Sequence, residues 1–247
     1  MRIDQLLVER GLAASRSQAQ RLIAGGVQWQ LPDGSWRAVV KNRDEVPESA
    51  ALQLLDDAES RYVSRGGLKL EGVLKASGVK VDGLRCLDVG QSTGGFTDCL
   101  LQQGAAQVVG VDVGHAQVHP RIREDARADC FEGINARQLT AGDLPESAYA
   151  FITGDLSFIS LTLVLPALAP LLAPEGDLLM LVKPQFELQP GQVGKGGIVK
   201  DAALYLEVER RIRECCESLG LLVAGWFDSP IAGGDGNREF FIHARKG

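Results

Sequence analysis

DVGQSTGGFTDCL, residues Asp88 to Leu100, sets three glycines, a serine and a threonine between two apolar runs. RCLDVG before it reads as a buried strand, and FTDCLLQQG after it as a helix. Glycines at such a handover permit either a tight turn or a small molecule lying against bare backbone. Outward from this point the pattern repeats. AQVVGVDVG is a second strand, HAQVHPRIRED a helix, ADCFEG a weak strand and YAFITGD a stronger one. ISLTLVLPALAPLL predicts a helix, GDLLMLVKP a strand and DAALYLEVERRIRECCESLG a long helix. LLVAGWFDSP and REFFIHARK close the chain as strands. Alternating strand and helix predict an α/β fold with a mostly parallel sheet covered on both faces. The short GGDGN connection makes the last two strands an antiparallel pair at one edge.

Upstream the pattern differs. RIDQLLVERGL and SRSQAQRLIAGG read as two short helices, the first ended by Gly11, the second capped by Ser15 or Ser17 and stopped by Gly25 and Gly26. VQWQL, AVVK and ALQLL follow as strand-like pieces. The expected organisation is a small α+β module over residues 1–57, a linker at 58–64 and the large domain at 65–247.

The 247 residues are 45% hydrophobic with a formal charge of -6, enough to bury a core in two domains. The charge is uneven. Arg61 to Lys80 holds five cations and one acid, a net +4, and the first thirty residues carry +2. That asymmetry points to a basic face near the N-terminal side, although a charge run is as often plain solvated surface. Five cysteines with no CxxC pair argue for reduced thiols and against a zinc site or disulfide framework. His115 and His119 lack further ligands in range and read as surface. MRIDQLLVER has charges where a signal peptide's apolar core would stand, so a cytoplasmic protein is expected. The run from Leu161 to Val182 approaches the ~20 apolar residues of a membrane span. Pro166, Pro170, Pro174 and the PEGD turn divide it into a helix and a strand.

Ligands of open α/β sheets bind at the carboxyl ends of the strands, beside the first strand-to-helix turn. Asp112, at the tip of VVGVD, is placed to take both hydroxyls of a ribose. These features suit a dinucleotide or S-adenosylmethionine, and a plain packing turn remains the bland reading. STGG lacks the G-x-G-x-x-G spacing, which disfavours a nicotinamide-linked dehydrogenase.

DVGQSTGGFTD, with YVSRGGLKL, GDLSFISL, LVKPQFE and the closing GGDGNREFF in the same order, resembles the TlyA family. These are ribosomal RNA 2′-O-methyltransferases, historically called haemolysins. The opening RIDQLLVERGL and SRSQAQRLIAGGV are similar to the S-four RNA-binding domain that the family carries in front. The resemblance covers almost the whole chain. It implies a Rossmann-like class I methyltransferase sheet, S-adenosylmethionine as cofactor, and a ribose, by likeness a cytidine's, in ribosomal RNA or a ribosomal subunit as substrate. It implies neither metal nor membrane. The chain departs from the pattern at Gln91, where a small residue is usual, at VQWQLPDG, and in the poorly apolar EDARADCFEG.

By the same resemblance, a Lys-Asp-Lys-Glu catalytic set falls on Lys69, Asp155, Lys183 and Glu239. Their placement also makes physical sense. Lys69 lies on the helix after the linker, Asp155 and Lys183 end two strands, and Glu239 begins the last. A ribose hydroxyl must lose its proton as it attacks a methyl carbon, and a lysine takes that proton only when neutral. Its pKa must then fall from about 10.4, which burial and a second cation promote and carboxylates oppose. Lys183 is assigned as the base, and Lys69 as the group holding the hydroxyl. Asp155 and Glu239 orient the lysines. Two ordinary ion pairs at strand ends are the alternative.

For the cofactor, Gly90, Ser92, Thr93, Gly94 and Gly95 are assigned to the methionine end, Asp88 to its amino group, and Asp112 to the ribose. Asn135 is assigned near the adenine, and Leu156 with Ser157 beside the methyl group. Arg2, Arg16, Arg21 and Arg65 are candidate RNA contacts, mostly to phosphate, which positions without choosing a base. The loop QPGQVGKGGIVK is read as closing over RNA or as an ordinary connection. Two other functions compete: a non-catalytic RNA-binding assembly factor, and a haemolysin-like membrane activity, which no amphipathic or spanning segment supports.

Overall fold

The computed structural model describes residues 1–13, 15–55 and 61–247. Two compact units result, Met1–Arg65 and Gly66–Gly247. Asp57, the expected end of the small module, and residues 58–60 of the expected linker lie outside the described residues.

In the first unit, α1 (Ile3–Glu9) and α2 (Arg16–Gly26) bury Ile3, Leu6, Leu7, Ala19, Leu22 and Ile23 in one small core. Gly11 ends α1 with φ +68°, a conformation open to glycine. Of the two candidate caps for α2, Ser15 is the one used, its hydroxyl accepting from the Gln18 amide at 3.2 Å. Strands β1 (Val27–Gln30), β2 (Trp36–Ala38) and β3 (Leu52–Leu54) form an antiparallel sheet in the order β2-β1-β3.

The second unit begins with α3 (Gly66–Ser77). Then come β4 (Arg85–Val89), α4 (Gly95–Gln102), β5 (Gln107–Asp112), α5 (Pro120–Arg123), β6 (Ala128–Glu132) and β7 (Tyr149–Gly154). After them stand α6 (Leu165–Leu168), β8 (Leu172–Val182), α7 (Pro184–Glu187), α8 (Ala203–Ser218), β9 (Leu221–Asp228) and β10 (Phe240–Lys246). The seven strands pair in the order β6-β5-β4-β7-β8-β10-β9. The pairs from β6 to β8 are parallel, and β10 runs antiparallel to both neighbours. Chain order reverses at β4, so the carboxyl ends of β4, β5 and β7 open the crevice where such sheets bind ligands.

Three expectations are corrected. The helix expected from His115 shrinks to α5, because His119 precedes Pro120 and is forced extended (φ −61°, ψ 140°), its ring nitrogen accepting from the Arg121 amide. The helix expected over residues 159–172 breaks into α6 flanked by two 3-10 turns, since Pro166 and Pro170 each lack the donor a continuous helix needs. The PEGD turn does not precede a strand but lies inside β8. Tyr149 pairs with Leu172 and Phe151 with Asp177, so the intervening residues bulge, with Glu175 at φ +58°.

β4 and β7 approach very closely at their carboxyl ends. A Cβ on Gly154 would stand 2.4 Å from the Val89 carbonyl oxygen and 2.7 Å from Met180 Cε. Gly154→Ala is therefore expected to cost about 1–3 kcal/mol of overpacking. The melting temperature should fall by about 2–4 °C per kcal/mol; an unchanged melting curve would contradict this contact.

Candidate active site

The glycine-rich turn forms by backbone geometry. Gly90 has φ +83°, and its amide donates to the Val111 carbonyl at 2.8 Å. A Cβ on Gly90 would meet the Asp155 carbonyl oxygen at 2.8 Å. Gly94, at φ +99°, is the N-cap of α4. Ser92 is held by Asp112, whose Oδ2 accepts from the Ser92 amide at 2.8 Å while Oδ1 accepts from the Gly114 amide at 2.7 Å.

Beside this turn lies a cavity of about 540 Å³, within the usual range for small-molecule sites. Among the residues assigned to the cofactor, Gly90, Ser92, Asp112, Asn135 and Leu156 line it, as does Ser157. Thr93, Gly94 and Gly95 are not in its wall; Gly94 and Gly95 are buried at the start of α4, with Gly94 against Ile122. Asn135 lines the wall and also caps a short turn, its Oδ1 accepting from the Arg137 amide at 3.0 Å.

Asp88 also stands behind the wall. It is fully buried, with Oδ2 accepting from the Thr97 hydroxyl at 2.7 Å, and Thr97 in turn accepts from Gln91 Nε2 at 2.9 Å. Gln91 fills space that Gly110 leaves open, since a Cβ there would fall 2.0 Å from Gln91 Nε2. The larger residue at this position is thus matched by a glycine on β5. Asp88 Oδ1 is buried with no partner. Burial, joined by the Asp155 and Asp112 charges, pushes the Asp88 carboxyl up to about 7 despite the Thr97 hydrogen bonds. An unpaired acceptor beneath a glycine cradle fits a cationic ligand group, such as the ammonium of S-adenosylmethionine.

The four residues assigned to catalysis come together as a row of alternating charge. Lys69 Nζ lies 2.6 Å from Glu239 Oε2 and 3.8 Å from Asp155 Oδ2. Lys183 Nζ lies 2.6 Å from Asp155 Oδ1 and donates to the Ser157 hydroxyl at 2.7 Å. Lys69 projects from α3, whose Leu70, Val73 and Leu74 are buried. Asp155 and Lys183 follow the ends of β7 and β8, and Glu239 precedes β10. Of the four, only Asp155 reaches the cavity wall. Burial raises the Glu239 carboxyl above its ordinary value, Lys69 pulls it back, and Asp155 adds to the rise.

Phe158 was not singled out from the sequence. It lines the mouth of the cavity, is 91% exposed, holds φ +64° and tilts against Phe186 with centroids 5.1 Å apart. Val113, 69% exposed, shares that rim. The signal for Phe158 was its place in GDLSFISL, three residues beyond Asp155.

In the first unit, Arg2 and Arg16 both pair with the buried Asp4, at 2.8 and 3.0 Å. Burial opposes ionisation of Asp4, yet the two guanidinium groups hold its carboxyl below the usual range. Arg65 is half-buried, and the side chain of Arg21 lies outside the described residues. Among the described residues no helix is long and apolar enough to cross a membrane, and no cluster of His, Cys, Asp or Glu is placed to hold a metal.

Comparison with known proteins adds two family matches: an FtsJ-like methyltransferase over residues 62–246 and an S4 domain over residues 1–26. The chain is 44% identical to the 16S/23S rRNA (cytidine-2′-O)-methyltransferase TlyA of Mycobacterium tuberculosis, covering 99% of this chain and 89% of that one. It is 34% identical to hemolysin A of Brachyspira hyodysenteriae, covering 98% and 99%. A solved structure from Streptococcus thermophilus, named provisionally as a hemolysin, is 40% identical with a TM-score of 0.76, covering 100% and 88%.

Because the Asp88 carboxyl is raised, the folded chain retains between pH 3.8 and about 7 a proton that the unfolded chain releases. This group's contribution is therefore complete below the lower value and is lost as pH rises through the upper one. Asp88→Asn should flatten that decline, measured as melting temperature against pH; identical slopes in both proteins would refute the assignment.

Proposed function

The chain belongs to the TlyA-type branch of the FtsJ-like methyltransferases, and from that membership we propose that it methylates the 2′-hydroxyl of a ribose in ribosomal RNA. The target is a cytidine, as named for the Mycobacterium tuberculosis relative. The observation that carries the reading is the charged row meeting the glycine cavity at a single residue, Asp155.

S-adenosylmethionine bound in the cavity would supply a methyl group activated by its sulfonium. Asp112 would hold the ribose of that molecule, and the buried Asp88 Oδ1 would accept from its ammonium, directly or through water. As the substrate oxygen takes the methyl group, its proton must leave. Lys183 is the residue to which we assign that proton. Asp155 fixes Lys183 from one side and Ser157 from the other. Lys69, held by Glu239, supports the hydroxyl from the far side of Asp155. Placement of donor and acceptor at near-attack distance contributes much of the rate.

Phe158 presents an open ring where a nucleotide must enter, a surface for stacking the base turned out of its helix. The small unit and the basic stretch that follows it hold the RNA backbone through Arg2, Arg16, Arg21 and Arg65. Action on ribosomes places the protein in the cytoplasm.

Transfer of labelled methyl from S-adenosylmethionine to ribosomal subunits tests the reading. Absence of transfer, with RNA still bound, would favour the assembly-factor alternative. Lys183→Ala should lower transfer by about 10²-fold or more, the scale of a lost general base. Cofactor binding should persist, because Lys183 lies outside the cavity wall; near-normal turnover would defeat the base assignment. Phe158→Ala should raise KM for RNA by roughly 5- to 100-fold, as loss of one stacked base implies. An unchanged KM would remove Phe158 from substrate recognition.

A further inference from the structure

Two side chains unused by the catalytic row stand two positions from two of its members. Gln185 follows Lys183, and Asn237 precedes Glu239. Both donate to the same oxygen, Asp235 Oδ2, from Gln185 Nε2 at 3.0 Å and Asn237 Nδ2 at 2.8 Å.

Asn237 is 2% exposed. Its Nδ2 also donates to the Gly197 carbonyl at 2.9 Å, and its Oδ1 accepts from the Val199 amide at 2.9 Å. Its backbone closes a turn, the carbonyl accepting from the Gly233 amide at 2.9 Å and the amide donating to Asp235 Oδ1 at 3.0 Å. That turn lies against the catalytic carboxylate, for a Cβ on Gly233 would stand 2.7 Å from Glu239 Oε1. From the other side, the Tyr205 hydroxyl donates to the Val199 carbonyl at 3.0 Å. One buried amide, with the Asp235 carboxylate it shares with Gln185, thus ties together the segment after Lys183, the glycine-rich loop that carries Lys195 and Lys200, and the turn before Glu239.

Every polar atom of the Asn237 side chain is engaged, and each engaged partner belongs to a different turn of chain or to the segment's own bend. An aliphatic residue here would leave the Val199 amide without its acceptor, and a buried donor left so is costly. A latch between two loops would need only the bonds to Gly197 and Val199. The Nδ2 bond to Asp235 does something else: together with the backbone bond from Gly233 it fixes the bend from which Glu239 emerges. We propose that Asn237 is a positioning residue that makes the loop 194–200 and the Glu239 carboxylate one rigid element. The loop that carries Lys195 and Lys200 then sets the carboxylate that holds Lys69. This inference rests on the methyltransferase reading for its consequence, though not for its geometry.

Two variants of the full chain test it, read by amide hydrogen exchange, turnover and S-adenosylmethionine affinity. The Val199 amide reports the loop. The Ser229 amide, which donates to the Glu239 carbonyl at 2.8 Å, reports the catalytic carboxylate's backbone. In Asn237→Ala both amides should exchange about tenfold faster or more, the scale of one lost buried hydrogen bond. Asn237→Asp keeps an acceptor for Val199 but loses both donors and sets a carboxylate against Asp235. There Val199 should stay protected while Ser229 exchanges faster. In both variants kcat should fall by about tenfold, with cofactor affinity unchanged within about twofold.

Faster exchange at Val199 alone, with Ser229 and kcat as in the parent, would reduce Asn237 to a loop latch and overturn the proposal. Equal losses of kcat and cofactor affinity would overturn it too, as general damage to the site. If Asn237→Ala fails to fold, Asn237→Asp carries the same outcomes. A parent chain that transfers no methyl group refutes the function reading instead, and the two exchange rates still decide whether Asn237 couples the loop to Glu239.

Discussion

Asp155 is the point on which the rest of the molecule depends. Its backbone amide donates to the Val89 carbonyl at 3.1 Å, and its own carbonyl lies where a Cβ on Gly90 would be. Its carboxylate meets Lys183 with one oxygen and Lys69 with the other. Backbone thus ties it to the cavity and side chain ties it to the charged row. Such closeness requires glycine at both 90 and 154, and a sheet in which β4, β7 and β8 lie side by side with their carboxyl ends together. Backbone, the least adjustable part of the fold, thus sets how close the cavity wall lies to the carboxylate that Lys69 and Lys183 share.

Beneath the cavity a second polar group is held at a cost. Asp88 is sealed under the glycine turn with one oxygen satisfied by Thr97 and the other unpaired. Gln91 fixes the Thr97 hydroxyl so that it donates to Asp88 rather than turning away. Packing this chain of amide, hydroxyl and carboxyl into the space over Gly110 explains how a glutamine fits at position 91. An unfilled acceptor is destabilising in isolation, and a cation arriving above it removes the penalty.

The strands were legible in the sequence because apolar runs ending in a single charge, as in YAFITGD and GDLLMLVKP, leave little choice of element. Asp155 and Lys183 could be placed from those runs. What escaped was whatever depended on one residue's backbone angle or on two loops meeting. Glu175 at φ +58° converts an expected turn into a bulge within β8, and no pattern in PEGD distinguishes the two. Asp88 could be put at the end of β4, but its burial behind the cavity wall depends on Thr97, nine residues on in the first turn of α4. Phe158 read as one more apolar residue because exposure is invisible to composition. Asn237 lay within a stretch read only as a short connection and a point of resemblance, while its partners at Gly197 and Val199 are some forty residues away.

Folding alone does not call for a Lys-Asp-Lys-Glu row. Charges taken from water lose hydration that their mutual attraction seldom returns in full, and apolar residues of similar volume commonly do as well or better. The large core around β7, β8 and α8 already supplies the burial this unit needs. Glu239 shows the cost directly, its carboxyl raised by burial even with Lys69 at 2.6 Å. Two cations and two anions in alternation carry no net charge, so the row can sit half-buried without a counterion. Removing any one member leaves its neighbours uncompensated. A strand-end ion pair kept only for stability would have no reason to extend through four residues drawn from four separate segments of chain.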